Sequence, residues 1–340
     1  MILLTGGGTG GHLSIVRSLK EELNKRGIKP VFIGSSYGQD RAWFENDDGF
    51  EEKYFFDTVG VVNKGKIGKL LAMLKILKYS LKSYSIFKKH NIQKVVSVGG
   101  YSAAAASFAA IFFKKELYIH EQNAAMGTLN KKLSPYAKAV FSSYLESSPV
   151  KDYPVNESFF KKSRVREELK CVIFLGGSQG ANFINELAKK LSSHLLEKNI
   201  SVIHQCGKKS YNDIKEFYEK NGLKVELYDF IEDMPSILQK ADFAVSRSGA
   251  STLWELCASG IPSIFIPYPY AAGDHQYYNA KYLESKKLCY IFREKDATKE
   301  KILQTLQNAD IKQISENLLK SINKDGAKRI IEYILAPNKS

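Results

Sequence analysis

Cysteine is scarce in this sequence, and its spacing excludes the usual metal and redox motifs. The cysteines all lie in the second half of the chain, at Cys171, Cys206, Cys257 and Cys289. None forms a CxxC pair and none has a histidine at metal-ligand spacing, which favours buried, reduced thiols. No cluster of Asp or Glu demands a metal either, so we expect neither a metal ion nor a cofactor.

Long apolar runs are also missing. No uninterrupted run approaches the roughly eighteen residues that a membrane-spanning helix needs. The chain begins MILLTGGG, a short apolar strand that enters a glycine turn at once. Because no room is left for a basic segment, an apolar core and a cleavage site, we expect no export signal and a reduced, cytosolic protein.

Acidic residues are too few to balance the basic ones. Fifty Lys and Arg against thirty-six Asp and Glu leave a net charge of +14. Such a charge attracts phosphates, anionic lipid or nucleic acid, and it does not choose among them. No recognisable nucleic-acid-binding motif occurs, and no strand interleaves aromatic and basic residues. A basic nucleic-acid-binding protein therefore stays only as an alternative, and we expect no nucleic-acid partner.

The alternation of apolar and amphipathic segments predicts two α/β domains. The 340 residues suit two domains of about 150 residues each. Short apolar runs followed by helical patterns are typical of parallel, doubly wound sheets. The alternation is broken by Pro, Asn, Ser and basic residues around 151–166. We therefore predict an N-terminal domain over 1–150, a linker over 151–166 and a C-terminal domain over 167–319.

Two glycine turns follow the first predicted strand of each domain. TGGGTGGH occupies 5–12 and LGGSQGAN occupies 175–182. The first satisfies the dinucleotide pattern GxGxxG, but residues 28–39 include no acid to hold a ribose, and neither turn continues into the GK of a P-loop. Two interpretations stay open for each turn. Its backbone approaches an anionic ligand at a helix N-terminus, or it is a tight turn without a ligand.

Several polar residues begin predicted helices. His12, at the mouth of the first turn, suits a general base near neutral pH, or a capping or packing residue. SRSGASTLWE at 246–255 places a glycine before the helix that carries Glu255, which again suits an anion. Asp274 suits a helix cap, and Gln276 and Asn279 share one helical face, which suits sugar hydroxyls or a solvated surface.

Together these segments resemble the MurG-type family of N-acetylglucosaminyltransferases over nearly the whole chain. The matching segments, in order, are GGGTGGH at 6–12, GGYSAAAA at 99–106, HEQN at 120–123, GGSQGAN at 176–182, HQCGK at 204–208, SRSGASTLWE at 246–255 and DHQYYNA at 274–280. The resemblance implies inverting transfer of N-acetylglucosamine from UDP-N-acetylglucosamine to the 4-hydroxyl of lipid I, which gives lipid II and UDP. This reaction belongs to peptidoglycan synthesis, and so to cell-wall biogenesis, cell shape and cell division.

The resemblance also implies a fold. In the GT-B glycosyltransferase architecture, two Rossmann-like, doubly wound domains face an interdomain cleft. The N-terminal domain would serve the acceptor and the membrane, and the C-terminal domain would hold the UDP-sugar. The last helix, at about 320–340, would return to the N-terminal domain.

The resemblance further implies site residues. It makes His12 the catalytic base. The residues implied for the acceptor are Gly8, Thr9, Gly100, Tyr101 and Ser102. Those implied for the donor are Thr9, Gly10, Gly11, Asn123, Ser178, Gln179, Gly249, Ala250, Ser251, Glu255, Gln276 and Asn279. Within the donor set, Glu255 resembles the carboxylate that holds the uridine ribose, and the amides of 249–251 resemble the helix start that binds the diphosphate.

One departure from the family concerns the linker. The family usually has a GNPVR-like segment whose arginine approaches the donor phosphates, whereas this chain has DYPVN, with Asn156 in that place. We therefore expect that another cation does this work, or that diphosphate binding is weaker.

Segment 64–89 carries a local membrane signal. It contains eight Lys and no acidic residue, while Leu70, Leu74, Leu77, Leu81 and Tyr84 repeat at helical spacing. This pattern predicts a basic amphipathic helix that meets an anionic leaflet. The alternative is an apolar stripe in the domain core with a solvated rim of lysines. The amphipathic pattern and the family resemblance together predict a peripheral protein on the cytoplasmic face of the bacterial inner membrane. Its partners would be UDP-N-acetylglucosamine, lipid I and other cell-wall synthesis proteins.

Two related activities are weighed against this prediction. A GT-B transferase acting on another lipid or natural-product acceptor would share the donor half, but should diverge in GGGTGGH and GGYSAAAA, and both are present. A UDP-sugar epimerase of the same architecture would need no basic membrane face.

Overall fold

The structure, a computed structural model, describes residues 1–58, 66–177 and 180–337. The chain divides into two compact units. The first comprises residues 1–156 together with the C-terminal segment from Lys324, and the second comprises residues 157–323. The boundary lies within the segment predicted as a linker, whose first six residues belong to the first unit and whose remainder belongs to the second.

The first unit is built on a parallel six-stranded sheet with the order β3-β2-β1-β4-β5-β6. Its strands are β1 Ile2–Thr5, β2 Val31–Ser35, β3 Lys53–Phe56, β4 Lys94–Ser97, β5 Glu116–His120 and β6 Ala139–Phe141. The helices between them are α1 Gly10–Asn24, α2 Asp40–Phe44, α3 Lys66–Lys89, α4 Ala104–Phe112 and α5 Thr128–Leu133. Strands β1 and β2 are buried along their whole length and mostly apolar, as expected where helices cover both faces of a parallel sheet.

Small side chains bring helix α4 close to its neighbours. The alanines of GGYSAAAA, at 103–106, are all buried, and Ala105 and Ala106 pack in one core with Leu3, Val95 and Ile119 of the sheet. Ser80 of α3 donates its hydroxyl to the carbonyl of Ala105 at 3.0 Å. Packing therefore accounts for this alanine run without any ligand.

The second unit repeats the same strand order in its own sheet, β12-β11-β10-β7-β8-β9, and all of the pairings are parallel. The strands are β7 Cys171–Leu175, β8 Ser201–Gln205, β9 Glu226–Tyr228, β10 Phe243–Ser246, β11 Ser263–Phe265 and β12 Tyr290–Ile291. The helices are α6 Glu157–Lys161, α7 Asn182–Glu197, α8 Tyr211–Lys220, α9 Met234–Lys240, α10 Ala250–Ser259, α11 His275–Glu284, α12 Lys299–Asn308 and α13 Ile311–Ser321. The predicted pair of doubly wound α/β sheets is confirmed.

The last helix, α14 Gly326–Leu335, belongs to the first unit. Ile330, Ile331 and Ile334 on one of its faces are buried. Its polar face is tied down by ion pairs, one of which joins Arg329 to Asp152 at 2.8 Å. The chain therefore crosses back to its first unit after completing the second.

No described helix combines the length and the apolar character that crossing a bilayer requires. This finding covers only the residues that the structure describes.

Histidine 204, from the HQCGK segment, is a core residue. Its Nδ1 lies 2.9 Å from the Tyr218 hydroxyl and its Nε2 lies 3.1 Å from Asn185 Oδ1. Burial lowers the pKa of His204 to about 3, so the ring stays neutral in the folded protein. The histidine of this segment therefore has a structural role in the core of the second unit.

We expect this histidine to make the second unit acid-sensitive. The unfolded chain binds a proton at His204 below about pH 6.5, whereas the folded chain does not until about pH 3, so stability falls as the pH drops across this interval. Between about pH 7.5 and pH 5, the wild type should lose about 2 kcal/mol more than His204→Gln. Urea unfolding followed by Trp254 fluorescence, in a Trp43→Phe background, measures both losses. Equal losses of unfolding free energy in the wild type and in His204→Gln would contradict the conclusion that His204 stays neutral in the folded protein.

Candidate active site

The first glycine turn lies where the strand order of the first sheet reverses. Parallel β1 and β4 lie side by side, with Thr5 opposite Ser97, and their following loops leave the same edge in opposite directions. A Cβ on Gly6 would lie 2.6 Å from the carbonyl oxygen of Gly99, and one on Gly100 would collide with the carbonyl of Gly7. Both glycines have positive φ, +127° and +79°. The two loops therefore touch through their backbones, and only glycine permits it.

A buried carboxylate fixes the first glycine turn from behind. Asp40, the first residue of α2, is fully buried and accepts the backbone N–H groups of Gly8 and, at 2.8 Å, Ser35. Burial raises the pKa of Asp40. Because the N–H of Gly8 donates to Asp40, it is not available to a ligand. A ligand could still contact the carbonyl of Gly8 and approach its backbone closely, since glycine has no side chain.

Asp40 is a functional neighbour that sequence reasoning missed. The range 28–39, in which a ribose-binding acid was sought, ends one residue before it. A buried carboxylate that accepts backbone amides cannot hold a ribose, so the exclusion of a dinucleotide still stands. The signal that could have found it is an acid at a helix start directly after β2.

The loop after β4 places two of the residues predicted for the acceptor. The ring of Tyr101 lies against Gly8, where an added Cβ would meet Cε1 at 2.6 Å, and its hydroxyl donates to the carbonyl of Tyr37 at 3.1 Å. Burial raises the pKa of Tyr101. Ser102 is fully buried, so only its backbone could meet a ligand.

His12 lies in the first turn of α1, at the same edge of the sheet. Its Nδ1 is 3.0 Å from the hydroxyl of Thr9, the residue that precedes α1, and its Nε2 is 3.0 Å from Nε2 of Gln122. The structure thus brings GGGTGGH and HEQN together, although 110 positions separate His12 from Gln122. No acidic residue occupies the first turn of α1, so its N–H groups keep their positive potential.

A second buried carboxylate shapes the loop after β5. Glu121 accepts the backbone N–H groups of Asn123 at 2.9 Å and Gly127 at 3.0 Å, and Nδ2 of Asn130 at 2.8 Å. The backbone of Asn123, predicted as a donor contact, is therefore fixed by its neighbour. His120 is fully buried, and burial lowers its pKa to about 3.

The second glycine turn is held against the end of β8. Gly176 donates its N–H to the carbonyl of Gln205 at 3.1 Å, and the amide of the Gln205 side chain donates to the carbonyl of Gly177 at 3.0 Å. A Cβ on Gly180 would lie 2.5 Å from the carbonyl oxygen of Cys206. Ser178 and Gln179, both predicted for the donor, lie outside the described residues.

Helix α10 begins at an open position. Gly249 precedes it in extended conformation and has no side chain with which to cap the helix, and a Cβ on Gly249 would meet nothing within 4 Å. Ala250 and Ser251 form its first turn, and Glu255 lies farther along the same helix. A helix start with open space beside its N-cap glycine can accept an anion.

The polar residues of α11 fix the neighbouring loops. Asn279 is fully buried and donates to the carbonyl of Ser248 at 3.3 Å, directly before α10, while Oε1 of Gln276 accepts the N–H of Tyr268 at 2.9 Å. Asp274 stands at the N-cap position of α11, as predicted, but the prediction that its side chain caps the helix is wrong. Its carboxylate makes no cap hydrogen bond and instead binds Arg293 through both oxygens, at 2.9 and 2.6 Å.

Asn156, which stands in place of the family's linker arginine, has its own partner. Its Nδ2 donates to Oε2 of Glu21 on α1 at 2.6 Å. Arg247, the cation two positions before Gly249, is also engaged. It pairs with Glu294 at 2.5 Å and donates to the carbonyl of Ile266 at 3.0 Å. Arg247 therefore fixes the end of β11 in this structure.

Among the described residues, no group of three or more His, Cys, Asp or Glu side chains is placed to hold a metal ion. The carboxylates of Asp40 and Glu121 instead accept backbone amides of the glycine turn and of the loop after β5.

These loops belong to a glycosyltransferase. Residues 2–142 match the glycosyltransferase family 28 N-terminal domain and residues 171–334 match the family's C-terminal domain. Within this class, the chain belongs to the family of the UDP-N-acetylglucosamine–N-acetylmuramyl-(pentapeptide) pyrophosphoryl-undecaprenol N-acetylglucosamine transferases. It is 52% identical to the transferase of this name from Campylobacter hominis over 334 residues, which cover 98% of this chain and 97% of that protein.

Solved structures agree with the predicted GT-B architecture. The crystal structure of Acinetobacter baumannii MurG superimposes with a TM-score of 0.77 at 25% identity, over 98% of both chains. A UDP-N-acetylglucosamine 2-epimerase shares the fold, with a TM-score of 0.66 at 12% identity over 98% of this chain and 94% of that one. The family resemblance and the GT-B class are both confirmed.

Proposed function

We propose that this protein transfers N-acetylglucosamine from UDP-N-acetylglucosamine to the 4-hydroxyl of the N-acetylmuramyl sugar of lipid I, giving lipid II and UDP in peptidoglycan synthesis. The observation that carries the proposal is the 52% identity, over 98% of the chain, to a transferase named for this reaction. The glycine-lined loops at the reversal point of the first sheet and the open start of α10 support it with sites for two phosphate-bearing substrates.

The proposed reaction is a single displacement with inversion. The acceptor oxygen forms a bond to the anomeric carbon while the bond from that carbon to the diphosphate breaks, and its electron pair leaves with UDP. His12 takes the proton of the acceptor hydroxyl, and the start of α10 stabilises the charge on the departing diphosphate. This step calls for no cofactor.

We assign the acceptor to the loops after β1 and β4, around Thr9, Gly100 and Tyr101. The close backbone-to-backbone contact between these loops, at the start of α1, supports this assignment. The donor would lie against the second unit, with its diphosphate at 249–251, its ribose at Glu255 and its sugar near Gln276. Asn279 would act from behind, since it is buried and holds Ser248.

The experiment that tests the proposed function measures UDP release from UDP-N-acetylglucosamine with and without a lipid I analogue. We expect release that depends on the acceptor, with one N-acetylhexosamine added to the analogue by mass. Release without acceptor, or formation of N-acetylmannosamine, would replace the transferase by a hydrolase or an epimerase of the same fold.

We also propose that the protein docks on the cytoplasmic face of the inner membrane through α3. Leu74, Leu77 and Leu81, spaced three and four residues apart, are 54%, 54% and 57% exposed. The alternative that this stripe belongs to the domain core is therefore wrong for these leucines. Tyr84 is not part of this exposed stripe, since its ring stacks on that of Phe113 with the ring centroids 3.6 Å apart. The Leu70 side chain and residues 59–65 lie outside the described structure.

Charge and neighbouring apolar groups favour a lipid surface as the partner. Lys75, Lys78 and Lys82 alternate with the exposed leucines, and α3 contains no acidic residue. Phe112, at the end of the adjacent α4, is also largely exposed. Exposed leucines with flanking lysines suit insertion at an anionic headgroup layer.

Neutralising this helix should release the protein from anionic vesicles. We expect Lys75→Gln/Lys78→Gln/Lys82→Gln to weaken binding to phosphatidylglycerol-containing liposomes about a hundredfold, since each basic residue near such a surface contributes about 1 kcal/mol and each 1.4 kcal/mol is a factor of ten in affinity. Sedimentation with liposomes at low and high salt measures this effect. The matched control, Lys190→Gln/Lys215→Gln/Lys220→Gln, removes three lysines from the second unit. If both triple variants bind equally, the docking face lies elsewhere.

A further inference from the structure

The peptide that joins Gly7 and Gly8, in the first glycine turn, has a contact on each of its two polar sides. Its carbonyl oxygen faces the loop after β4, where a Cβ on Gly100 would collide with it. Its N–H group points to the opposite side of the planar trans peptide and donates to Oδ1 of Asp40. The peptide therefore aims its carbonyl at one loop and its N–H at a buried carboxylate.

Glycine on both sides makes this peptide easy to turn over. Turning it over exchanges the directions of the carbonyl and the N–H by changing ψ of Gly7 and φ of Gly8. The φ of Gly8 is +86°, in the region that residues with a side chain rarely adopt. Because neither glycine has a Cβ that restricts these two dihedral angles, the contacts around the peptide must select its orientation.

The carboxylate of Asp40 can make this selection. It is fully buried, and its second oxygen, Oδ2, accepts the N–H of Ser35 at 2.8 Å. An ionised carboxylate only accepts hydrogen bonds, so it favours a peptide N–H and disfavours a peptide carbonyl in the same place. Burial raises the pKa of Asp40, whereas the amides of Ser35 and Gly8 oppose that rise because they favour the ionised form.

The residues around Asp40 hold its carboxylate in place. A Cβ on Gly7 would collide with this carboxylate, and one on Gly34 would lie 2.9 Å from Oδ2. Phe44, one helical turn after Asp40 on α2, is fully buried against Phe32 of β2, with the ring centroids 5.0 Å apart. The group that receives the peptide N–H thus belongs to a helix that is packed on the sheet.

We propose that Asp40 is a positioning residue that selects the orientation of this Gly–Gly peptide and thereby places the residues that follow it in the acceptor site. Thr9 follows the peptide directly, and its hydroxyl lies 3.0 Å from Nδ1 of His12. This inference rests on the proposed function for the identity of the acceptor, but not for the orientation of the peptide.

The Asp40→Asn variant keeps the shape of the side chain and changes only what it can accept. Two N–H groups face this side chain, and asparagine can accept only one of them, because its NH2 group donates. That NH2 group can bind the carbonyl of Gly7 once the peptide turns over. We expect kcat/KM for a lipid I analogue to fall about tenfold or more, the scale of one lost hydrogen bond to a charged group, with the affinity for UDP unchanged.

The Asp242→Asn variant is the matched control from the second unit. Asp242 is also buried, and its Oδ2 accepts the main-chain N–H groups of Lys170 at 3.0 Å and Cys171 at 2.9 Å. This variant should lower the melting temperature and keep kcat/KM for the acceptor within a few fold. If Asp40→Asn also loses only stability and keeps kcat/KM within a few fold, Asp40 has a purely structural role and the proposal fails.

Hydrogen exchange tests the peptide itself, even if Asp40→Asn does not fold. Glycine labelled with ¹³C at the carbonyl and ¹⁵N at the amide limits HNCO spectra to the Gly–Gly peptides, at 6–7, 7–8, 10–11, 99–100 and 176–177. We expect the amide of Gly8 to be protected from exchange in the wild type and to lose this protection in Asp40→Asn. An unprotected Gly8 amide in the wild type would overturn the proposal.

The two measurements also separate this inference from the proposed function. A wild-type protein without acceptor-dependent UDP release would contradict the proposed function, while exchange at Gly8 would still decide whether Asp40 selects the orientation of the peptide.

Discussion

The His12→Ala variant should lose at least about a hundredfold in turnover at saturating substrates, because a positioned general base contributes about 10² to 10⁴ in rate. Its affinity for UDP should stay unchanged, since Glu255 and the start of α10 belong to the second unit. Its melting temperature should also stay close to wild type, because His12 is only half-buried. Initial rates of UDP release, calorimetry with UDP and thermal denaturation measure the three quantities.

A histidine outside these loops supplies the control. His90 belongs to the same unit and bonds the Tyr54 hydroxyl at 2.9 Å, so His90→Ala should affect stability more than turnover. If His12→Ala keeps more than about a tenth of wild-type turnover, His12 is not the base. A lowered melting temperature with modest kinetic loss would mark it as a structural residue instead.

The Glu255→Ala variant should bind UDP about tenfold to a hundredfold more weakly. A carboxylate that accepts hydrogen bonds from ribose hydroxyls contributes about 1.5–3 kcal/mol, and each 1.4 kcal/mol is a factor of ten in affinity. The effect should be equal for UDP and for UDP-N-acetylglucosamine, since both contain the ribose. Isothermal titration calorimetry with each ligand measures it.

Two further variants sharpen this test. Glu255→Gln keeps the acceptor oxygen and loses only the charge, so its loss should be smaller than that of Glu255→Ala. Glu219→Ala removes a carboxylate from the exposed face of α8 and should leave affinity unchanged. Unchanged UDP binding in Glu255→Ala would remove this residue from the proposed donor site.

The architecture was predictable because its signals are local. Short apolar runs, helical periodicity and a glycine turn after the first strand of each unit sufficed to predict two doubly wound sheets. The strand order was not contained in any of these signals, since it depends on which strands pair across the sheet. GT-B geometry entered only through the resemblance to a family.

The residues that sequence reasoning missed act through distant contacts. Arg166 was part of a basic stretch assigned to the linker, yet it is fully buried and donates to the carbonyls of Leu238 at 2.9 Å and Ala241 at 3.1 Å, at the end of α9. Asp40 and Gln122 make their contacts only because the fold brings them to Gly8 and His12. Local composition cannot show a partner that lies many residues away in the chain.

The backbone contact between the loops after β1 and β4 restricts how this protein can change over generations. With no side chains between Gly6 and Gly99, or between Gly7 and Gly100, neither loop can gain a residue or a Cβ unless the other retreats. Variation in one loop must therefore be matched by variation in the other, so we expect substitutions in the two segments to be coupled. Loops at the opposite edge of the sheet, where a Cβ on Gly27 would meet nothing within 4 Å, are free to lengthen independently.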